Sequence, residues 1–400
     1  MYKLLICLCI LMSSCGPTQK VTILPETPRT TSTTEPTESK ITPNKPNISS
    51  SLFITTKGVD FYLNNQIYYF SGTNQYYLFY KSQKMVDEVI EAAANMNLNS
   101  IRTWGFCDGV SKDGYSFQPS PRVYDEATFK KMDYIIYKAS KHNIKLVIPF
   151  VNNWDDMGGM LQYAKWAGTS NHDDFYVHPW IRQVYKDYIQ YFLNRTNSIT
   201  GIVYKNDPTI LMWELANEPR RQSNNGVDFQ LWVEEMSQFV KSIDSNHLLS
   251  IGDEGFFGDV PNGDWMHNGS QGTDFIKNNQ TKTIDVATFH IYPDPWGLNE
   301  QQAKKWIEDH IVIAKKVLGK PVYMGEFGIQ NKGTRDRIYS EWYDLSISRG
   351  MSGIMFWLLS GHQDDGSLYP DFDGFTVYPD SSTSSIIRNK SEIFLNRFLD

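Results

Sequence analysis

Residues 207–220 read DPTILMWELANEPR. An apolar run, Ile210–Trp213, closes on Glu214, and a polar turn carrying Asn217, Glu218 and Arg220 follows. A short run of large apolar residues without polar alternation reads as a strand buried on both faces, the kind found in parallel sheets covered by helices. Seven other segments have the same character: Tyr68–Gly72, Ser100–Thr103, Lys145–Phe150, Leu248–Gly252, Val286–His290, Val322–Glu326 and Gly353–Trp357. Between them lie stretches with helical apolar spacing, such as SQKMVDEVIEAAANMN (82–97), DEATFKKMDYIIYKASKHN (125–143) and NEQQAKKWIEDHIVIAKKVLG (299–319). The last ends on Gly319, a usual helix stop. Eight buried strands alternating with helices predict an α/β fold, a (β/α)8 TIM barrel forming a single domain over residues 51–400. FITTKGVDFYLNNQIYYF (53–70) reads as an N-terminal hairpin ahead of the first barrel strand. The alternative, an open doubly wound sheet, calls for a glycine-rich phosphate loop after the first strand, and FSGTNQYY (70–77) is not one.

The composition fits a globular protein: of 400 residues, 40% are hydrophobic and 21% charged. A net charge of −7 gives no electrostatic reason to expect nucleic acid or an anionic membrane surface as a partner. With 11 Trp, 23 Tyr and 22 Phe, the chain has aromatic rings enough both for a large core and for the walls of a cleft.

The N-terminus reads MYKLLICLCILMSSC, with Lys3, an apolar run from Leu4 to Met12, and small residues before Cys15. The run is short for a permanent membrane span and reads as a signal peptide over residues 1–15. LMSSC resembles a bacterial lipobox, with Cys15 as the lipid-modified first residue of the mature chain; the alternative is a plain signal peptide cut nearby. Residues 16–50 are rich in Thr, Pro, Ser and Glu and read as a disordered tether. The expected location is exported and lipid-anchored at the cell envelope, with the membrane met through that anchor only. Cys7 and Cys9 leave with the signal and Cys15 carries lipid, which leaves Cys107 as the one thiol of the body. It cannot form an internal disulfide, and a cysteine-based zinc site is excluded.

Barrel active sites lie at the C-terminal ends of the strands. The second predicted strand runs into Arg102 and Trp104, the third into Asn152, Asn153 and Trp154, and the fourth into Asn217, Glu218 and Arg220. The sixth ends in His290, Tyr292 and Trp296, the seventh in Glu326, and the eighth in Trp357. Flat aromatic faces beside amides, an arginine and carboxylates suit a sugar, whose ring offers a C–H face for stacking and hydroxyls at its rim. No phosphate loop, cofactor fingerprint or metal-ligand motif competes, so neither a cofactor nor a metal is expected; His290 has no HExxH or similar cluster beside it.

Glu214 and Glu218 invite reading as a catalytic pair. Strand residues four apart lie about 13 Å apart, whereas retaining glycosidases hold their carboxyls about 5–5.5 Å apart and inverting ones about 6.5–9.5 Å. Glu214 therefore reads as buried scaffold, and the partner of Glu218 has to come from another strand end. Glu326 closes a strand just as Glu218 does, on the opposite side of the barrel mouth. Asp253 and Glu254 are rivals that read better as cleft wall.

At these residues the sequence resembles glycoside hydrolase family 5, and within it the endo-β-1,4-mannanases. The segments that carry the likeness, in order, are GTNQYYL, IRTWGF, VNNWDDMGGM, DPTILMWELANEPR, GDEGFF, FHIYPDPW and VYMGEFGI. The resemblance implies a retaining mechanism with Glu218 as general acid/base and Glu326 as nucleophile. It implies that Asn217 holds the 2-hydroxyl of the reacting sugar, that Arg102 and Tyr292 keep Glu326 ionised, and that His290 orients the acid/base side. Trp357 would be the floor under that sugar, Asn153 and Trp154 would line the cleft with Trp296, and Arg220 would meet sugars on the leaving-group side. Glu218 needs a proton near neutrality, and burial with the neighbouring Glu326 charge is expected to raise its pKa. The expected partner is a β-mannan, met by a monomer; a relative acting on β-glucan and a surface glycan-binding protein without catalysis are the alternatives.

Overall fold

A computed structural model of the chain describes residues 52–397 apart from 224, 225, 259, 261 and 262. The expected signal peptide, Cys15 and the tether lie outside the described residues. No described helix is long and apolar enough to cross a membrane.

The chain enters through three short antiparallel strands, β1 (Thr55–Lys57), β2 (Asp60–Leu63) and β3 (Gln66–Tyr68). The expected hairpin is thus a three-stranded meander. The second turn is Asn64–Asn65, with φ of 52° and 63°, the left-handed pair that a tight two-residue turn needs and that asparagine tolerates. Tyr68 pairs with Phe61 in this meander, so the first barrel strand starts two residues later than the apolar run suggested.

The barrel strands are β4 (Phe70–Asn74), β5 (Ser100–Arg102), β6 (Lys145–Pro149), β7 (Ile210–Glu214), β8 (Leu248–Ser250), β9 (Ala287–Ile291), β10 (Val322–Phe327) and β11 (Gly353–Phe356). All eight are parallel, in the order β8-β7-β6-β5-β4-β11-β10-β9. Two backbone bonds bridge β8 and β9: Asp285 N–H to Leu249 O at 2.9 Å and His290 N–H to Glu254 O at 3.2 Å. Seven of the strands are buried at every residue, and Lys145 at the start of β6 is the one half-buried position.

Local signals set the helices that pack outside. Asp125 caps Glu126–Lys141 by accepting from the N–H groups of Ala127 and Thr128. Asn299 and Gln302 form a reciprocal capping box on Glu300–Ile313. That helix continues as one wider turn, Ala314–Leu318, and stops at Gly319 with φ of 65°, as its sequence predicts.

The barrel interior changes character along its axis. At the N-terminal end Phe61 of the meander and Ile54 pack with Phe70, Val147, Met212, Leu248, Tyr323 and Met355, which closes that end with apolar contact. One layer up, Glu214 meets Arg102 and the Tyr323 hydroxyl. Trp213, on the opposite side of β7, points out to the helices, stacking on Phe150 and donating to Asp244 at 2.7 Å. The site opens above this polar layer.

Candidate active site

The chain after β7 makes the first half of the site. Asn217 N–H donates to Val151 O at 2.7 Å and Glu218 N–H to Gly252 O at 2.8 Å, so residues beyond the strand remain tied to both neighbours. Glu218 has φ of 51°, in the left-handed region that costs a side-chain-bearing residue energy and that recurs at functional sites. This turn aims its carboxylate into the barrel mouth.

Glu326 supplies the other half from β10. The ladder to β9 shifts register between Met324 and Glu326, a bulge of the kind that re-aims a side chain beside a site. Gly325 makes room for it: a Cβ there would lie 2.8 Å from both His290 Nε2 and Thr288 Oγ1. Carboxylate oxygens of Glu218 and Glu326, with a ring nitrogen of His290, all lie within 4.8 Å of one another.

Each of the four carboxylate oxygens faces its own partner. Glu218 Oε1 lies 2.7 Å from His290 Nδ1, and its Oε2 accepts from Trp154 Nε1 at 2.7 Å. Glu326 Oε1 accepts from Arg102 Nη1 at 2.6 Å, and its Oε2 from the Tyr292 hydroxyl at 2.5 Å. Two carboxylates and an imidazole could in principle hold a metal ion. Here the Arg102 cation already occupies Glu326 Oε1, and the other oxygens are engaged as well, so the donor set fits a catalytic pair better than a metal centre.

Charge in this cluster differs from the sequence expectation in one respect. Burial pushes Glu218 up, but the bond and charge of His290, with the Trp154 N–H, outweigh it and take the carboxyl down to about 2. Burial raises Glu326, and the Glu218 charge adds to it, against His290, Arg102 and Tyr292. The rise expected at Glu218 is thus a fall, and it is Glu326 that is raised. The cause is the pair of N–H groups on Glu218, which favour its ionised form. Burial lowers His290, yet the charges of Glu326 and Glu218 hold it above its usual value. Burial and the same carboxylates hold Tyr292 well above the ordinary phenol range, so it remains a donor.

A cleft of about 570 Å³ opens over the pair. Its wall includes the expected Trp154, Asn217, Arg220, Tyr292, Trp296 and Trp357. Three expected site residues stand outside the cleft wall. Arg102 and His290 are fully buried and lie behind the carboxylates, because they project from β5 and β9 into the barrel interior. The Asn153 amide is turned to the chain, accepting from Arg220 N–H at 3.1 Å, and its neighbour Asn152 lines the wall instead. Asn217 is held at both ends, by Arg102 Nη2 at 2.7 Å and Asn152 Oδ1 at 3.0 Å.

Arg220 is committed to a buried carboxylate, Glu254, through Nε at 2.5 Å and Nη2 at 2.6 Å, and its guanidinium lies over the rings of Trp154 and Phe256. Sequence reasoning placed Glu254 in the wall but missed this pairing. It also missed Tyr76, Asp373 and Phe375, which complete the wall on the Trp357 side. Tyr76 follows β4 by two residues and was visible in GTNQYYL as motif alone. Asp373, which accepts from Trp357 Nε1 at 2.7 Å, lies in a loop with no periodic signal. A larger groove, of about 920 Å³, lies between helices Gln83–Asn95 and Ser382–Asn396; it is lined by Glu88, Glu91 and Arg388 among others and brings together no comparable pair.

The fold and this pair agree with what the chain resembles. It is 38% identical over 371 residues to mannan endo-1,4-beta-mannosidase 1 of Solanum lycopersicum, covering 86% of this chain and 92% of the relative. The endo-beta-1,4-mannanase structure from Thermotoga petrophila superposes with a TM-score of 0.79 at 40% identity, over 84% of this chain and 78% of that one. The endo-1,4-beta-mannanase from Rhizomucor miehei does so with a TM-score of 0.80 at 34% identity, over 86% and 99%. The family model of GH family 5 beta-mannosidase-like proteins matches residues 51–349, which span the barrel through β10 and both carboxylates. On that match, the chain is a member of glycoside hydrolase family 5, in its β-mannosidase-like group.

Proposed function

We propose that the protein hydrolyses β-1,4-mannosidic bonds within mannan chains, with retention of configuration, Glu326 acting as nucleophile and Glu218 as general acid/base. The observation that carries this reading is the approach of the two carboxylates, one oxygen of Glu218 and one of Glu326 lying within 4.8 Å of each other. Such an approach fits the roughly 5–5.5 Å separation of retaining enzymes better than the roughly 6.5–9.5 Å of inverting ones. The mannanase relatives supply the substrate class.

In the first step a Glu326 oxygen attacks the anomeric carbon, the glycosidic C–O bond breaks, and the departing oxygen takes the proton of Glu218. In the second, Glu218 takes a proton from water, the water oxygen bonds to the anomeric carbon, and the ester to Glu326 breaks. Arg102 and Tyr292 hold Glu326 and receive the carboxylate when it is released. The imidazole of His290, with Nδ1 2.7 Å from Glu218 Oε1, is the group that exchanges a proton with the acid/base. A sugar seated over the pair strips water from Glu218 and raises its hold on that proton. Asn217 takes the 2-hydroxyl, Trp357 underlies the reacting sugar, and Trp154, Arg220 and Trp296 meet the leaving chain.

The N-terminal sequence supports export and lipid attachment at Cys15, with residues 16–50 as a tether between a bacterial envelope and the barrel. Cys15→Ala should then release the protein from the membrane fraction.

Product analysis on mannohexaose and galactomannan, beside carboxymethylcellulose, tests the activity. Internal cleavage of the mannans with β-anomers formed first is expected, and Glu326→Ala should abolish it. Turnover of the cellulose derivative alone would assign the protein to β-glucan instead, and binding without turnover would make it a glycan-binding protein.

A further inference from the structure

Phe372 is the most exposed large hydrophobic residue among those described, at 75%. Single exposed aromatics are common and need no explanation. This one differs in where it stands and in how firmly it is held.

It continues a line of rings that starts in the cleft. Trp357 stacks near-parallel on Tyr76, with centroids 6.0 Å apart at 19°. Tyr76 meets Tyr369 at 6.3 Å, their hydroxyls 3.1 Å apart, and Tyr369 meets Phe372 at 5.8 Å. The segment around Phe372 is pinned from beneath. Buried Arg335 donates to the carbonyls of Gly374, Thr376 and Ile329. Asp371 accepts from Thr376 N–H at 3.0 Å, and Asp373 accepts from both Phe375 N–H and the Trp357 indole. The neighbours Tyr369 and Phe375 are buried while the Phe372 ring faces solvent. A ring on a loop already ordered costs little further conformational entropy when a ligand covers it.

We propose that Phe372 is an outer sugar platform on the non-leaving side, stacking on a mannosyl unit of a chain that runs past Trp357. With the roles proposed above, Glu218, Trp154 and Arg220 meet the departing chain and Trp357 the sugar that stays bound to Glu326, so the ring line that starts at Trp357 belongs to the retained side. The inference rests on the mannan reading above. The platform engages only chains long enough to reach it, and so favours long substrates over short ones.

The test compares wild type, Phe372→Ala and Phe372→Trp on mannotriose and mannohexaose. Phe372→Ala should lower kcat/KM on mannohexaose about five- to tenfold more than on mannotriose, mainly through KM, and Phe372→Trp should restore the ratio. A ratio equal to that of wild type in the alanine variant would overturn the platform alone. Failure of the wild type to cleave any mannooligosaccharide would overturn both the platform and the mannan reading.

Discussion

Arg102 Nε lies 2.8 Å from Glu214 Oε2, and neither side chain is exposed. The pair explains why a second glutamate stands four residues before Glu218. Glu214 fixes and neutralises the guanidinium whose other edge holds Glu326 and Asn217. Breaking a buried ion pair from one side leaves the other charge uncompensated, at about 3–5 kcal/mol. Glu214→Ala should therefore lower the melting temperature and, by releasing Arg102, reduce kcat on the order of 10²-fold. Glu214→Gln, which keeps an acceptor, should lose less of both; thermal melts and mannan kinetics check this, and a Glu214→Ala variant with wild-type kcat would refute the supporting role.

Tyr292 sets the acid side of the pH profile. Its hydroxyl donates to Glu326 Oε2 and so favours the ionised nucleophile. Tyr292→Phe removes that preference, raises the Glu326 pKa, and should move the acid limb of kcat/KM upward by about one pH unit. An acid limb that stays in place would show that the bond does not tune Glu326.

Gly325 has a steric task. A Cβ at this position would press on His290 Nε2 and Thr288 Oγ1, both at 2.8 Å. Gly325→Ala should cost about 1–3 kcal/mol of stability through overpacking and displace the imidazole from Glu218. Activity on mannan should fall with it, and a crystal structure of the variant would show His290 moved; an unmoved ring with full activity would disprove the clash.

Asp253 carries a pH-dependent stability contribution. It is fully buried with no side chain hydrogen-bonded to its carboxylate, and burial pushes its pKa up to about 7. The folded protein holds this proton more tightly than the unfolded chain does. The stability it confers is complete below about pH 4 and is lost as pH rises through about 7, on the order of 4 kcal/mol in all. Asp253→Asn should flatten the fall in melting temperature between pH 5 and pH 8. Parallel melting curves for the two proteins would count against it.

Much of this was legible in the sequence because the relevant signals are local. Buried strands announce themselves as unbroken apolar runs, and strand ends in a barrel face one mouth, so spacing set Glu214 aside and strand-end position favoured Glu326 over Asp253 and Glu254, while the roles of the pair came from the family resemblance. The meander was harder, because Tyr68, Tyr69 and Phe70 form one apolar run that the fold divides between two sheets. Arg102 and His290 were found as site residues, but that they lie behind the carboxylates and outside the cleft wall was not legible, since sequence gives a residue's strand and not its depth in the barrel. Asp373 and Phe375 left no trace, because their position depends on Arg335 and Trp357, distant in sequence. The downward shift at Glu218 escaped as well. It depends on two N–H groups converging on Glu218, one from β9 and one from the loop after β6.

The left-handed backbone of Glu218 has a consequence for how this enzyme can be improved. A non-glycine residue held there costs about 1–2 kcal/mol, and the carboxylate it carries repels its neighbour across the cleft. Glycine at 218 would relieve both but would leave His290 Nδ1 and Trp154 Nε1 without the carboxylate they hold. The strained backbone is thus kept in place by bonds that the acid/base group itself makes, and a stabilisation campaign that substitutes 218 gives up those bonds together with turnover.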